Sequence, residues 1–168
     1  MIDHRPAEAA ERSRVGDWEG DLITGRGGLS AIGTLVCRRS RYIKLIHLPG
    51  RRTAEDLITG LHETLVDLPE SVRLTLTWDQ GSEMAGHDQV AALFAEGVFF
   101  AHAGKPWQRP TNENSNGLLR QYFPKGSDLR TYTVEELRRV EERLNTRPRK
   151  TLDWITPAQV LAASLASS

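Results

Sequence analysis

Val72-Arg73-Leu74-Thr75-Leu76-Thr77-Trp78-Asp79 alternates with a period of two, so Leu74, Leu76 and Trp78 share one strand face and Thr75, Thr77 and Asp79 the other. A helical pattern precedes it. That pattern opens at Thr53 with Asp56 three positions on, a capping-box-like start, and buries Leu57, Ile58, Leu61 and Leu65 before Leu68-Pro69 ends it. A strand reached through a helix can lie parallel to the strand it joins. Upstream, strand patterns at about 15–24, 30–38 and 41–48 are separated only by Gly25-Arg26-Gly27-Gly28 and Arg39-Ser40, which predicts an antiparallel meander. Downstream, a short helix over about 87–96 is closed by Gly97 and leads into Val98-Phe99-Phe100-Ala101, apolar throughout and read as an inner strand. Helical patterns follow over 112–123, over 133–145 with a capping box at Thr133 and Glu136, and from Thr156-Pro157. The order βββαβαβα, then two further helices, predicts an α/β architecture.

Whole-chain properties bound the function without choosing one. A chain of 168 residues is large enough to form one domain that buries roughly 70% of its unfolded surface. The lone Cys37 excludes an internal disulfide and a multi-cysteine zinc site, and fits a reducing cytoplasm. No apolar run approaches the ~18 residues of a membrane span, and the start Met-Ile-Asp-His-Arg-Pro is not a signal peptide. The formal net charge is zero, which argues against a strongly basic nucleic-acid binder. Cations are nonetheless clustered, at 38, 39, 41, 44, 51 and 52 without an intervening acid, and again at 138, 139, 143, 147, 149 and 150. Such runs either track phosphates or form solvated faces.

Three acids stand where strands end or a helix begins. Asp21 lies in Trp18-Glu19-Gly20-Asp21-Leu22-Ile23, Asp79 precedes Gln80-Gly81-Ser82, and Glu113 lies in Thr111-Asn112-Glu113-Asn114-Ser115-Asn116-Gly117. Carboxylates brought together repel by roughly 4 kcal/mol per pair at 4 Å and an effective dielectric near 20, so a chain that gathers three is suited to holding a divalent cation. Each acid also has a plainer role. A first-turn Glu complements the helix dipole, and an Asp before Gly makes an Asx turn. On the first strand Asp17, Glu19 and Asp21 share one face, and spacing does not distinguish which of them would bind metal. On the 112–123 helix, Glu113, Asn116, Gly117 and Arg120 fall on one arc, opposite Leu118, Leu119 and Tyr122. His87 reads as the head of a short helix or an active-site neighbour, and His102 as a strand-end residue.

Together these segments resemble the DDE transposases with a retroviral-integrase-type catalytic core, and most closely the bacterial insertion-sequence family thirty. The resemblance is carried by Gly16-Asp17-Trp18-Glu19-Gly20-Asp21, by Leu76-Thr77-Trp78-Asp79-Gln80-Gly81-Ser82-Glu83-Met84-Ala85-Gly86-His87, and above all by the run from Pro106-Trp107-Gln108-Arg109-Pro110 through Thr111-Asn112-Glu113-Asn114 to Phe123-Pro124-Lys125-Gly126. The tail Leu144-Asn145-Thr146-Arg147-Pro148-Arg149-Lys150-Thr151-Leu152 extends it, so that about residues 5–162 are covered. The resemblance implies an α/β, RNase H-like fold, a five-stranded mixed sheet (three antiparallel strands, then two parallel) flanked by α-helices, and a catalytic and metal-binding triad of Asp21, Asp79 and Glu113, with Glu19 either supporting that site or facing solvent. It further implies two Mg²⁺ ions, or Mn²⁺ in their place, that assist nicking of transposon-end DNA and attack of the freed 3′-hydroxyl on target DNA.

Lys105, Trp107, Gln108 and Arg109 look like a DNA-contacting loop, with Trp107 able to stack on a base or tuck beneath the loop. Asn112, Asn116, Arg120 and Lys125 extend that surface as phosphate contacts. The tail Arg147-Pro148-Arg149-Lys150 holds DNA or pins the last helix, and the sequence leaves the choice open. The expected partners are transposon-end and target DNA and further copies of the chain in an active homo-oligomer. The expected location is the bacterial cytoplasm, at the nucleoid, with no membrane association.

Pro110 departs from the family, which usually has Gly before Thr-Asn-Glu-Asn, and stiffens the approach to the Glu113 helix. Full-length members also carry an N-terminal helix-turn-helix region. Here residues 1–14 read as an N-terminal extension and 15–168 as the catalytic core, as in an excised domain or a truncated reading frame. Two other functions fit the same residues: an RNase H-like nuclease without strand transfer, and an idle remnant that only binds DNA or a partner subunit. A paired-carboxylate glycosidase fits less well, because Asn, Arg and Lys around the acids suit phosphate better than sugar.

Overall fold

A computed structural model of the chain describes residues 2–48, 54–78, 87–100 and 110–166, apart from the side chains of 54, 87 and 110–114. Strands β1 (Asp17–Thr24), β2 (Ala31–Cys37), β3 (Ile43–Leu48), β4 (Thr75–Trp78) and β5 (Val98–Phe100) form one sheet in the order β3-β2-β1-β4-β5. The β1–β2 and β2–β3 pairs are antiparallel, whereas β1–β4 and β4–β5 are parallel. The predicted meander and the helix-mediated return are both present. Helix α2 (Ala54–Leu65) supplies that return, and Leu57, Ile58, Leu61 and Leu65 are its buried stripe.

Alternation along β1 divides the core into two layers. Trp18 faces α2 with Leu35, Ile46, Leu61, Leu76 and Trp78. Ile23 faces the opposite layer with Ile32, Val36, Ile43 and Leu45, beneath α4 (Pro110–Leu119) and α5 (Val134–Asn145). The β1 acids therefore lie on the α4 side of the sheet. Helix α5 opens with the predicted capping box, in which Thr133 accepts from the Glu136 N–H and the Glu136 carboxylate accepts from the Thr133 N–H. Its side chains also close the β3 edge. Asn145 accepts from the Ile43 N–H at 2.8 Å and donates to the Ile43 carbonyl at 2.9 Å, while Glu141 and Arg138 meet the N–H and carbonyl of Leu45. An edge strand whose backbone groups are satisfied in this way is a poor template for another chain.

Several boundaries differ from the sequence reading. Strand β4 begins at Thr75 because Glu70–Val72 forms a 3₁₀ turn. Helix α3 (His87–Ala91) is shorter than expected, although Val90 and Phe94 are buried and Gly97 has the positive φ of +93° that closes the segment. Helix α4 starts at Pro110, where the missing N–H costs nothing, and continues past Leu119 only as turns. Strand β5 is an edge strand, not an inner one, and its residues are half-buried. Its apolar run reflects packing against the Trp18 layer through Val98 and Phe100. Ahead of β1, a 3₁₀ turn (Ile2–His4) and α1 (Ala7–Glu11) bury Ile2 and Ala9 against the core. The last helix, α6 (Pro157–Ala166), begins at the predicted proline. None of the described helices is long and apolar enough to cross a membrane.

Candidate active site

Strand β1 carries three acids on one face, and each has a different setting. Asp17 is fully buried and accepts from Arg14 Nε at 2.8 Å and Nη2 at 3.1 Å, and from the Thr75 hydroxyl at 2.7 Å. Those hydrogen bonds, with smaller help from the charges of Asp17 and Glu96, raise the Arg14 pKa above its ordinary value despite partial burial. Glu19 is also fully buried and is ion-paired to Arg38, whose Nε donates to the Ala9 carbonyl at 2.7 Å. Arg5 joins this cluster by donating from Nη1 to the Thr77 hydroxyl at 3.1 Å. Burial, and then repulsion from Arg38, lower the Arg5 pKa to about 10, against the opposing pull of Glu19 and Asp17. Of the two roles open to Glu19, solvent exposure is thus ruled out. It is a buried strand residue, matched by guanidinium groups.

Asp21, two residues further along, is only partly buried. Its Oδ1 accepts from the Leu22 N–H at 2.8 Å, its Oδ2 accepts from Asn116 Nδ2 at 3.2 Å, and its carbonyl accepts from the Thr34 hydroxyl at 3.3 Å. The Oδ1 of Asn116 is buried without a hydrogen-bond partner. Helix α4 is fastened at this end of β1 by Arg120, which donates to the Thr24 carbonyl at 3.2 Å and to the Phe123 carbonyl at 3.3 Å. Position 113 is three residues before Asn116 in the same helix, on the same side one turn earlier.

A steric constraint holds the acid-bearing strand against β4. A Cβ on Gly20 would lie 2.0 Å from ring atoms of Trp78, so only glycine fits between Glu19 and Asp21. The register pairs Asp17 with Thr75 and Glu19 with Thr77, advancing two for two along the parallel strands.

Of the expected site residues, Asp21, Asn116 and Arg120 are brought together along the second half of β1, and Lys125 is exposed in the turn after α4. Asp79, Lys105, Trp107, Gln108, Arg109 and the side chains of Glu113 and Asn112 lie outside the described residues. Among the described residues no group of three His, Cys, Asp or Glu gathers as a metal site. Reading along the sequence missed Arg38 and Arg5 as partners of the acid face. The one visible signal for Arg38 was a cation-rich run without acids after β2, and it concealed a buried residue; Arg5 had none. Arg138 of the second cationic run is likewise structural, held by Glu141 and the Leu45 carbonyl.

No protein-family model matches the chain. It is 50% identical over 166 residues to a transposase for insertion sequence element IS1086 from Cupriavidus metallidurans, covering 99% of this chain and 49% of that protein. Against transposase InsI for insertion sequence element IS30A from Escherichia coli it is 42% identical over 165 residues, covering 98% of this chain and 43% of the other. The chain thus spans about half the length of the curated relatives it matches. Its fold superposes on the catalytic core domain of BIV integrase with a TM-score of 0.67 at 14% identity, over 92% of this chain and 98% of that one. A chain of the simian T-cell lymphotropic virus intasome gives 0.68 at 18% identity, over 88% of this chain and 56% of that one. The chain thus has an RNase H-like, integrase-core fold of the transposase/integrase type. Within that class, the chain is related to the IS30-family transposases.

Proposed function

We propose that the chain is the catalytic core of a DNA transposase, which nicks transposon ends and joins them to target DNA through Asp21, Asp79 and Glu113. The observation that carries this reading is the hydrogen bond from Asn116 to Asp21, which draws the helix bearing position 113 onto the strand bearing Asp21. The two-for-two register supports it further, since Asp79 follows Thr77 as Asp21 follows Glu19. The donor set fits a hard divalent cation: a half-exposed carboxylate with a buried amide oxygen, lacking any partner, beside it. Asp21, Asp79 and Glu113 would hold Mg²⁺ or Mn²⁺, which would supply charge neutralisation at the reacting phosphodiester. Asn116 fixes the Asp21 rotamer, and Arg120 holds the helix at the strand end. Lys105, Trp107, Gln108, Arg109, Asn112 and Lys125 would contact the DNA backbone or bases beside the acids. A homo-oligomer acting on DNA at the nucleoid of a bacterial cytoplasm belongs to the same proposal.

The test is Mg²⁺-dependent nicking and joining of a DNA carrying an element end, with a pre-cut 3′-hydroxyl end as a second substrate. Joined products support the proposal, and shortened fragments alone would make the chain a nuclease. Anomalous scattering from Mn²⁺-soaked crystals, with peaks among residues 21, 79 and 113, would locate the ions directly.

A further inference from the structure

We infer that a second phosphate-binding site lies on the other flank of α4, in the pocket formed by Arg41, Ser115, Leu118, Arg149, Lys150 and Thr151, and that it holds the backbone of a DNA strand running past the Asp21 site. This rests on the chain being a DNA-acting core, and adds a site that the triad does not include. The pocket has a volume of about 250 Å³. Three of its described lining residues are cations, two carry hydroxyl groups, and none is an acid. Guanidinium, ammonium and hydroxyl donors together form a phosphate-recognition set.

Two features of the pocket's arginines bear on what they hold. Arg149 is partly buried, its Nη2 donates to the Leu144 carbonyl at 3.2 Å, and its Nε is buried with no hydrogen-bond partner. Arg41, in the turn between β2 and β3, has a φ of +65°, a left-handed conformation that side-chain-bearing residues seldom adopt. Burial lowers the pKa of both arginines; at Arg41 the charge of Glu19 opposes this, while those of Arg38 and Arg149 add to it. An anion between them would relieve both the desolvation and the repulsion.

The occupant is a polyanion, because the cations continue beyond the pocket. Arg12, after α1, lies close enough for Arg41 and Arg38 to lower its pKa in addition to burial. Arg12 thus adds a further cation near Arg41, beyond the pocket itself. Ser115, on the pocket side of that helix, adjoins Asn116, which reaches Asp21. One strand could therefore engage the pocket and the acid site across a single helix.

The test is the affinity of the whole chain for a short labelled DNA duplex, measured against salt concentration. Lys150 is exposed, so Lys150→Gln should fold normally; Arg41→Gln is made alone and combined with it. Lys44→Gln, in a pocket that also contains Glu63 and Asp67, is the control for removing one positive charge. The double variant should bind about tenfold more weakly near 0.1 M salt, and the slope of log K against log salt should shrink by about one for each phosphate that the variant no longer neutralises. Lys44→Gln should match the unaltered chain.

If DNA binds but Arg41→Gln and Lys150→Gln leave affinity and slope unchanged, the pocket is not a DNA site, while the transposase reading stands. If the unaltered chain binds no DNA, both fall. Amide shifts at Ser115 and Thr151 with inorganic phosphate, but unchanged DNA affinity, would make it a small-anion site and overturn the proposal. A change in self-association alone would do the same, pointing to an acidic surface on a second copy.

Discussion

Glu19 and Asp21 stand two residues apart on the same face of the same strand, yet the protein treats them in opposite ways. Glu19 is sealed from solvent and met by Arg38, with Arg5 and Asp17 in the same charged cluster. Asp21 is only partly buried, and its partners include a backbone N–H and a carboxamide. A guanidinium beside a carboxylate cancels its charge within the fold. A neutral donor fixes the carboxylate's orientation and leaves its negative charge available to an incoming cation. Along one strand face the protein thus passes from a sealed, charge-matched acid to one that reaches toward the surface beside α4.

The largest effect expected from this contrast is on activity. Asp21→Asn, and likewise Asp79→Asn, should lower Mg²⁺-dependent nicking on the order of 10³-fold or more while leaving the thermal midpoint nearly unchanged. Nicking at the original rate by either variant would remove that residue from the chemistry. Glu19→Gln should do the reverse of a clean active-site lesion and destabilise the fold by roughly 3–5 kcal/mol in urea unfolding, because Arg38 would be left buried without its counter-charge. If Glu19→Gln is as stable as the original, the cluster is not cohesive and the contrast fails. Replacing both members, Glu19→Leu with Arg38→Met, should recover much of that deficit.

Asn116→Ala should sit between these two. It should raise the metal concentration needed for half-maximal nicking by about 10–100-fold, the usual cost of removing a group that orients a metal-binding carboxylate, with little change in stability. An unaltered metal requirement would mean that Asp21 needs no orienting partner. The smallest effect is expected far from the site, at the cap of α5. Thr133→Ala should cost about 1 kcal/mol of stability and leave the activity per folded molecule unchanged.

The antiparallel meander, the capping box and the buried stripe of α2 were legible because each depends on a short turn, a local period or a local hydrogen bond. The arc shared by Asn116 and Arg120 was legible for the same reason, and the hydrogen bonds of both residues to β1 follow from it. The fate of Glu19 was not. Strand alternation says which residues share a face, but Arg38 is opposite only because β2 folds back on β1, and Arg5 only because the segment before β1 packs across the sheet. Edge or inner position was hidden in the same way at β5, where three apolar residues read identically in either place. The cationic runs misled in part, since charge counted along the chain does not tell Arg38, inside the core, from Arg41, beside a pocket.

Gly20 and Trp78 have a consequence for how such a chain can diverge. The indole occupies the space that any side chain at position 20 would need, and the two positions flank the acids of β1 and the end of β4. Substitution at either position alone is therefore penalised, whereas a lineage that shrinks the ring could accept a larger residue opposite it. Across a set of descendants the two positions should change together.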